Sequence, residues 1–193
     1  MVDSNVLTIV VTTIFIQNIL LSQFLGLCPF IGVSNHKKNA LGMGLATTLV
    51  LTLTASLTYP IWHFILIPFE LTYLKTLTLI LVIAASVQAL ELTLRIVSPL
   101  LHQTLGLYLP LITSNCAVLG VALLVINSDF DSWLQATAFG ASAGIGFALV
   151  LLLLTQLRHQ IQNPRVPKIW QGSPIGLVTA GIMSLAFMGL QGL

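Results

Sequence analysis

Between Val6 and Val33 the chain carries no charged side chain at all, and charge-poor stretches of similar length recur to its end. This constrains the fold more than any other feature. In hydrocarbon every backbone N–H and C=O must find an internal partner, so only helices and closed barrels can cross a bilayer. The stretches at Val6–Leu25, Ala40–Tyr59, Leu71–Ile96, Leu105–Ile126, Leu134–Leu154 and Pro174–Leu190 are long enough for helices through about 30 Å of hydrocarbon. They are too long for spanning strands, which use roughly 9–11 residues. With 56% hydrophobic and 6% charged residues, too little polar surface remains to clothe a soluble domain. The expectation is an all-α polytopic membrane protein with six transmembrane helices, residues 1–193 forming one integral membrane domain. The first stretch has neither a basic leader nor a small-residue cleavage site, so it reads as a span and not a signal peptide. The scattered basic residues, without interleaved aromatics, exclude a nucleic-acid surface.

Topology follows from where the few charges fall. Lys37 and Lys38 follow the first span, Arg95 ends the third, and Arg158, Arg165 and Lys168 follow the fifth. Lys75 is the only basic residue on the opposite side, among Asp3, Glu70, Asp129 and Asp131. Lys and Arg in short loops stay cytoplasmic, which places both termini outside.

Six spans divide into three and three, with the boundary near residues 97 and 98. A repeat of three spans re-enters the membrane upside down, giving halves related by an axis in the membrane plane. One cysteine context recurs in each half. Cys28-Pro29-Phe30-Ile31-Gly32-Val33 and Cys116-Ala117-Val118-Leu119-Gly120-Val121 both read Cys, three small or apolar residues, Gly, Val. Gly42-Met43-Gly44 near the start of span two is echoed by Gly140-Ala141-Ser142-Ala143-Gly144-Ile145-Gly146 near the start of span five. Glycines alone are ordinary at membrane helix contacts; together with the cysteines they point to an inverted repeat.

The first and fourth stretches overrun a simple span. A straight helix over Val6–Val33 would extend about 42 Å at 1.5 Å per residue. The excess is expected around Gly26, Cys28-Pro29 and Gly32, because Pro29 disfavours helix at Cys28. Gly106, Pro110, Ser114, Asn115 and Gly120 are expected to interrupt the fourth stretch similarly. Broken helices in matching halves mark a site near the midplane, since unwound backbone survives there only when buried.

Cys28 and Cys116 are the only cysteines, and three readings of them stay open. A free cysteine packs as a small hydrophobe. A disulfide would staple a bundle that has little need of one. An iron–sulfur cluster takes four thiolates, so two cysteines are half a set and a second chain must supply the rest. His36, His63, His102 and His159 lack ligand spacing to either cysteine. Glu91 and Arg95 stand one helical turn apart, with Gln88 a turn earlier, and are either part of an ion path or an ordinary structural pair. Gln17 and Asn18 in span one are placed to bond across helices. No chain of acids crosses the bilayer, and there is no phosphate-binding loop, dinucleotide fingerprint or hydrolytic triad. A redox membrane subunit is one functional reading; the alternative is a small secondary transporter or channel-like protein with inverted repeats and no cluster.

Phe24-Leu25-Gly26-Leu27-Cys28-Pro29-Phe30, Met43-Gly44-Leu45-Ala46-Thr47-Thr48, the run Leu109–Leu123 around Cys116, and Thr179–Gly189 resemble the family of A-type membrane subunits of the bacterial Rnf (also Rsx) electron transport complex. Subunits of the sodium-pumping NADH–quinone oxidoreductase share both cysteine motifs. The likeness runs the length of the chain and weakens at 35–39 and 128–132. It implies a non-autonomous subunit, without a self-contained active site, of a complex that couples ferredoxin–NAD electron transfer to sodium or proton transport. It implies further that Cys28 and Cys116 are two ligands of a [2Fe–2S] cluster. A homologous six-helix subunit of the E type would supply the other two, beside further membrane and peripheral subunits in the bacterial inner membrane.

Overall fold

Two long antiparallel helices form the centre of the molecule, and small residues set how near they come. The computed structural model describes residues 6–16, 18–28, 37–68, 72–97, 111–112, 114–128, 130, 132–161 and 172–191. Among these, α3 (Lys37–Ile61) and α6 (Trp133–Ile161) pack along most of their length. Gly44 sits opposite Ala148, Thr48 opposite Gly144, and Leu51 and Ala55 opposite Gly140. A Cβ on Gly144 would lie 2.6 Å from the Thr48 Cα, and one on Gly140 2.8 Å from the Leu51 carbonyl oxygen. Without a hydrophobic drive between helices in lipid, such close backbone approach supplies the packing.

The remaining elements surround this pair. At the N-terminal end α1 (Val6–Val11) widens into a π-helical turn, Thr12–Ile16, and a short α2 follows (Ile19–Gln23). Beyond α3 comes a second π-helical turn, Trp62–Leu66. A 3₁₀ turn at Thr72–Leu74 leads into α4 (Lys75–Val97). Two further helices, α5 (Cys116–Asn127) and α7 (Ser173–Gln191), complete the described elements. The described residues are helical or irregular and include no strand. Segments Ala40–Leu66, Lys75–Leu92 and Trp133–Leu157 are long and apolar enough to cross a membrane; α5 and Pro174–Gly189 are shorter apolar helices.

Core and lipid faces separate by helical spacing. Val50, Leu51, Val118, Val121, Leu151 and Leu154 are buried, whereas Leu41, Leu45, Leu49, Leu53 and Leu57 form an exposed row every fourth residue on α3. Two buried threonines bond back to their own helix, Thr47 donating to the Met43 carbonyl at 2.7 Å and Thr155 to that of Leu151 at 2.8 Å.

One end of the bundle is stitched by side chains. Pro60 lies inside α3 and has no N–H for the Ser56 carbonyl four residues back. The Trp133 indole N–H takes its place, donating to the Ser56 oxygen at 2.9 Å. Tyr59 Oη donates to the Phe130 carbonyl at 3.4 Å, and Lys75 Nζ to Asn127 Oδ1 at 3.2 Å. The helix ends that carry Lys37, Lys38, Arg95 and Arg158 in the sequence lie at the opposite end of α3, α4 and α6.

The helix breaks fall partly where the sequence places them. In the first stretch the chain leaves the helix earlier than Gly26, at Asn18, then again at Phe24–Gly26, where Phe24 (φ 54°) and Gly26 (φ 89°) are left-handed. Asn18 breaks the helix because its side chain caps α2, with the Leu20 N–H donating to Oδ1 at 3.2 Å. In the fourth stretch Asn115 marks the break, but Gly120 does not. Helix α5 runs unbroken through Gly120, whose missing side chain instead admits Leu25; a Cβ there would lie 2.4 Å from Leu25 Cδ1. Pro29, Gly32, Gly106 and Pro110 lie outside the described residues.

Candidate functional site

Cys116 is the first residue of α5, and its position is set from both sides. Asn115 precedes it with extended backbone (φ −72°, ψ 113°), and its Oδ1 accepts the Ala117 N–H at 3.1 Å. That is an N-cap, and it faces the positive end of the helix dipole toward the first turn. From across the break the Gly26 N–H donates to Cys116 Sγ at 3.0 Å. The two cysteine-bearing segments therefore touch at a sulfur atom.

Gly26 makes this contact because it is a glycine. Its left-handed φ of 89° is strained for other residues. A Cβ would also lie 2.7 Å from the Phe147 ring, 3.3 Å from Ala117 Cβ and 3.3 Å from Asn115 Oδ1. Cys28 follows two residues later, which limits its Cα to about 7 Å from that of Gly26. The two thiols differ in surroundings: Cys28 is exposed, Cys116 is half-buried, and neither forms a disulfide. One sulfur is thus held inside the chain and the other is presented at its surface.

The short helices around this junction are pinned by later parts of the chain. Asn18 bonds across helices as well as capping α2. Its Nδ2 donates to the Gly146 carbonyl on α6 at 3.0 Å and to the Ile14 carbonyl at 3.2 Å. Ser184 on α7 donates to the Leu21 carbonyl at 2.7 Å, an oxygen at the frayed end of α2 that would otherwise lack a partner in lipid. The Asn115 amide is different: the residue is 3% exposed, and its Nδ2 has no partner among the described residues.

Among the described residues no three His, Cys, Asp or Glu side chains gather as a metal site. Two free thiols at one junction match half the donor set of an iron–sulfur cluster and no complete one. Glu91 is half-buried on α4 and Gln88 is exposed. The Arg95 side chain lies outside the described residues, and with it the Glu91–Arg95 pair. His63 belongs to the π-helical turn, its ring 4.6 Å from that of Tyr59. The signal that sequence reading undervalued is asparagine before an apolar helical run. It marks both Asn18 and Asn115 as caps.

Known proteins match this chain over nearly its whole length. A family model described as "Rnf-Nqr subunit, membrane protein" matches residues 6–193. The A-type subunit of the ion-translocating oxidoreductase complex of Alcanivorax borkumensis is 52% identical over 185 residues, covering 96% of this chain and 95% of that one. The proteins of the same description from Edwardsiella ictaluri and Shewanella oneidensis are 50% and 48% identical, with 98% of each chain covered. A match over residues 6–193, with relatives about half identical over nearly the full length, places the chain in the Rnf-Nqr family of membrane subunits.

Proposed function

We propose that the chain is the A-type membrane subunit of an ion-translocating oxidoreductase complex, and that Cys28 and Cys116 are two of four ligands to a [2Fe–2S] cluster. The other two come from a homologous six-helix subunit packed against the exposed Cys28. The observation that carries this reading is the hydrogen bond from the Gly26 N–H to Cys116 Sγ, which joins both cysteine segments at one point. An exposed thiol beside a half-buried one suits a site that another chain completes. The names of the relatives supply the complex.

When bound, such a cluster supplies a one-electron carrier within the membrane. The chain's own residues hold and bias it. The first turn of α5 and the Gly26 N–H present positive charge to Cys116 sulfur, which favours the more negative, reduced state. Phe147 and Ala117 pack against Gly26 and exclude water from that side. In this reading six spans form two inverted three-helix repeats, 1–97 and 98–193, in the inner membrane with both termini periplasmic. Two features support it. Asn18 and Asn115 cap helices in the same backbone geometry, with ψ of 112° and 113°, and Lys37, Lys38, Arg95 and Arg158 fall on helix ends opposite the one that carries Lys75. The complex would pass electrons between ferredoxin and NAD and move sodium ions or protons.

The test is iron, acid-labile sulfide and EPR on the purified complex, wild type against Cys28→Ser and Cys116→Ser. We expect a [2Fe–2S] signal and ion-coupled electron transfer in the wild type and neither in the variants. Variants that keep both would sink the proposal. A colourless, iron-free complex that still carries solute would favour the transporter reading.

A further inference from the structure

Asn18 and Asn115 use the same half of their side chains in the same way and differ in the other half. Each is 3% exposed. Each Oδ1 accepts the N–H two residues on, at 3.2 Å for Asn18 and 3.1 Å for Asn115. Asn18 Nδ2 then donates to two carbonyls, those of Gly146 and Ile14. Asn115 Nδ2 donates to nothing among the described residues. An amide N–H₂ buried without an acceptor is costly, more so where no water can reach it. Asn115 nevertheless occupies the position directly before Cys116. Its Oδ1 lies 3.3 Å from where a Gly26 Cβ would be, so the amide sits against the Gly26–Cys116 junction.

We infer that Asn115 Nδ2 is a hydrogen-bond donor to sulfur of the metal cluster held at Cys116, a positioning residue that raises the cluster's reduction potential. The inference rests on the cluster reading above and adds a residue to it. The donor is buried, neutral and one residue from a proposed ligand, and it lacks an acceptor among the described residues. Sulfide or thiolate supplies one of the right softness and charge. Together with the Gly26 N–H it gives the Cys116 side of the site two N–H donors. Hydrogen bonds to cluster sulfurs stabilise the reduced state, which carries the extra negative charge.

Asn115→Ser separates the roles. Serine keeps an acceptor at the cap and deletes the amide donor. In the purified complex we expect iron and sulfide content as in wild type, with the cluster's midpoint potential shifted downward in an EPR redox titration. Asn18→Ser, which removes the bonds to Gly146 and Ile14, should leave the potential in place. An unchanged potential in Asn115→Ser, with the cluster retained, overturns the inference and points to a partner-chain carbonyl as the acceptor. Should Asn115→Ser fail to assemble, the wild-type complex grown with side-chain ¹⁵N-asparagine decides the matter. A ¹⁵N coupling to the reduced cluster in pulsed EPR is expected, and its absence overturns the inference. A wild-type complex with no iron or sulfide is a different failure, that of the cluster itself.

Discussion

Gly26 meets several demands at a single residue: a left-handed backbone, a close ring and a donated N–H. Gly26→Ala should therefore be among the most damaging small substitutions in the chain. The left-handed conformation alone costs about 1–2 kcal/mol, and the added methyl would lie 2.7 Å from the Phe147 ring, itself buried. Thermal unfolding of the purified protein should show a clearly lowered midpoint. Gly120→Ala is predicted to be milder, because the atom it meets is the end of the Leu25 side chain, which can rotate. Equal losses for the two would contradict this account. Sequence reading assigned both glycines to helix breaks; Gly26 stands at one, whereas Gly120 lies inside α5 and leaves room for Leu25. A glycine does not announce which neighbour it accommodates.

At the scale of elements, the contact between α3 and α6 is backbone against backbone. Gly144→Ala places a methyl 2.6 Å from the Thr48 Cα, an atom that cannot turn aside, so the helices must part. Overpacking of this kind costs about 1–3 kcal/mol, and a melt in detergent should register it. Gly181 has nothing within 4 Å of its Cβ position. Gly181→Ala should be neutral or stabilising by up to about 1 kcal/mol from helix propensity. The Trp133–Ser56 bond makes a sharper prediction. Trp133→Phe should cost about 0.5–1.5 kcal/mol, but nothing once Pro60→Ala has restored the N–H that Ser56 lacks. A double-mutant cycle measures that coupling, and additivity would refute it. Helices α3, α4 and α6 were legible as long apolar runs because lipid demands little else of a spanning sequence. The break at Asn18 was not, because its amide is committed to Gly146, 128 residues away.

At the scale of the whole molecule the two thiols differ, Cys28 exposed and Cys116 half-buried. In the chain expressed alone, maleimide should label Cys28 quickly and Cys116 slowly, as their exposures imply. In the assembled complex, the proposed partner should protect Cys28. Full labelling of Cys28 in the intact, active complex would argue that no chain covers it. The duplicated cysteine contexts showed in advance that two segments belong together. What they could not show was the means, a backbone N–H on one segment meeting a sulfur on the other. That depends on a turn geometry which no spacing encodes.

The order in which these pieces are made carries a last consequence. Ser184, which caps the Leu21 carbonyl, is synthesised 163 residues after it, an interval of about 8–33 s at typical elongation rates. Until then α2 has its Asn18 cap and the bond to Gly146 but lacks the one from Ser184. A segment translated early is thus among the last to be fully secured, and loading of the proposed cluster at its cysteine should follow synthesis of the seventh helix instead of accompanying translation.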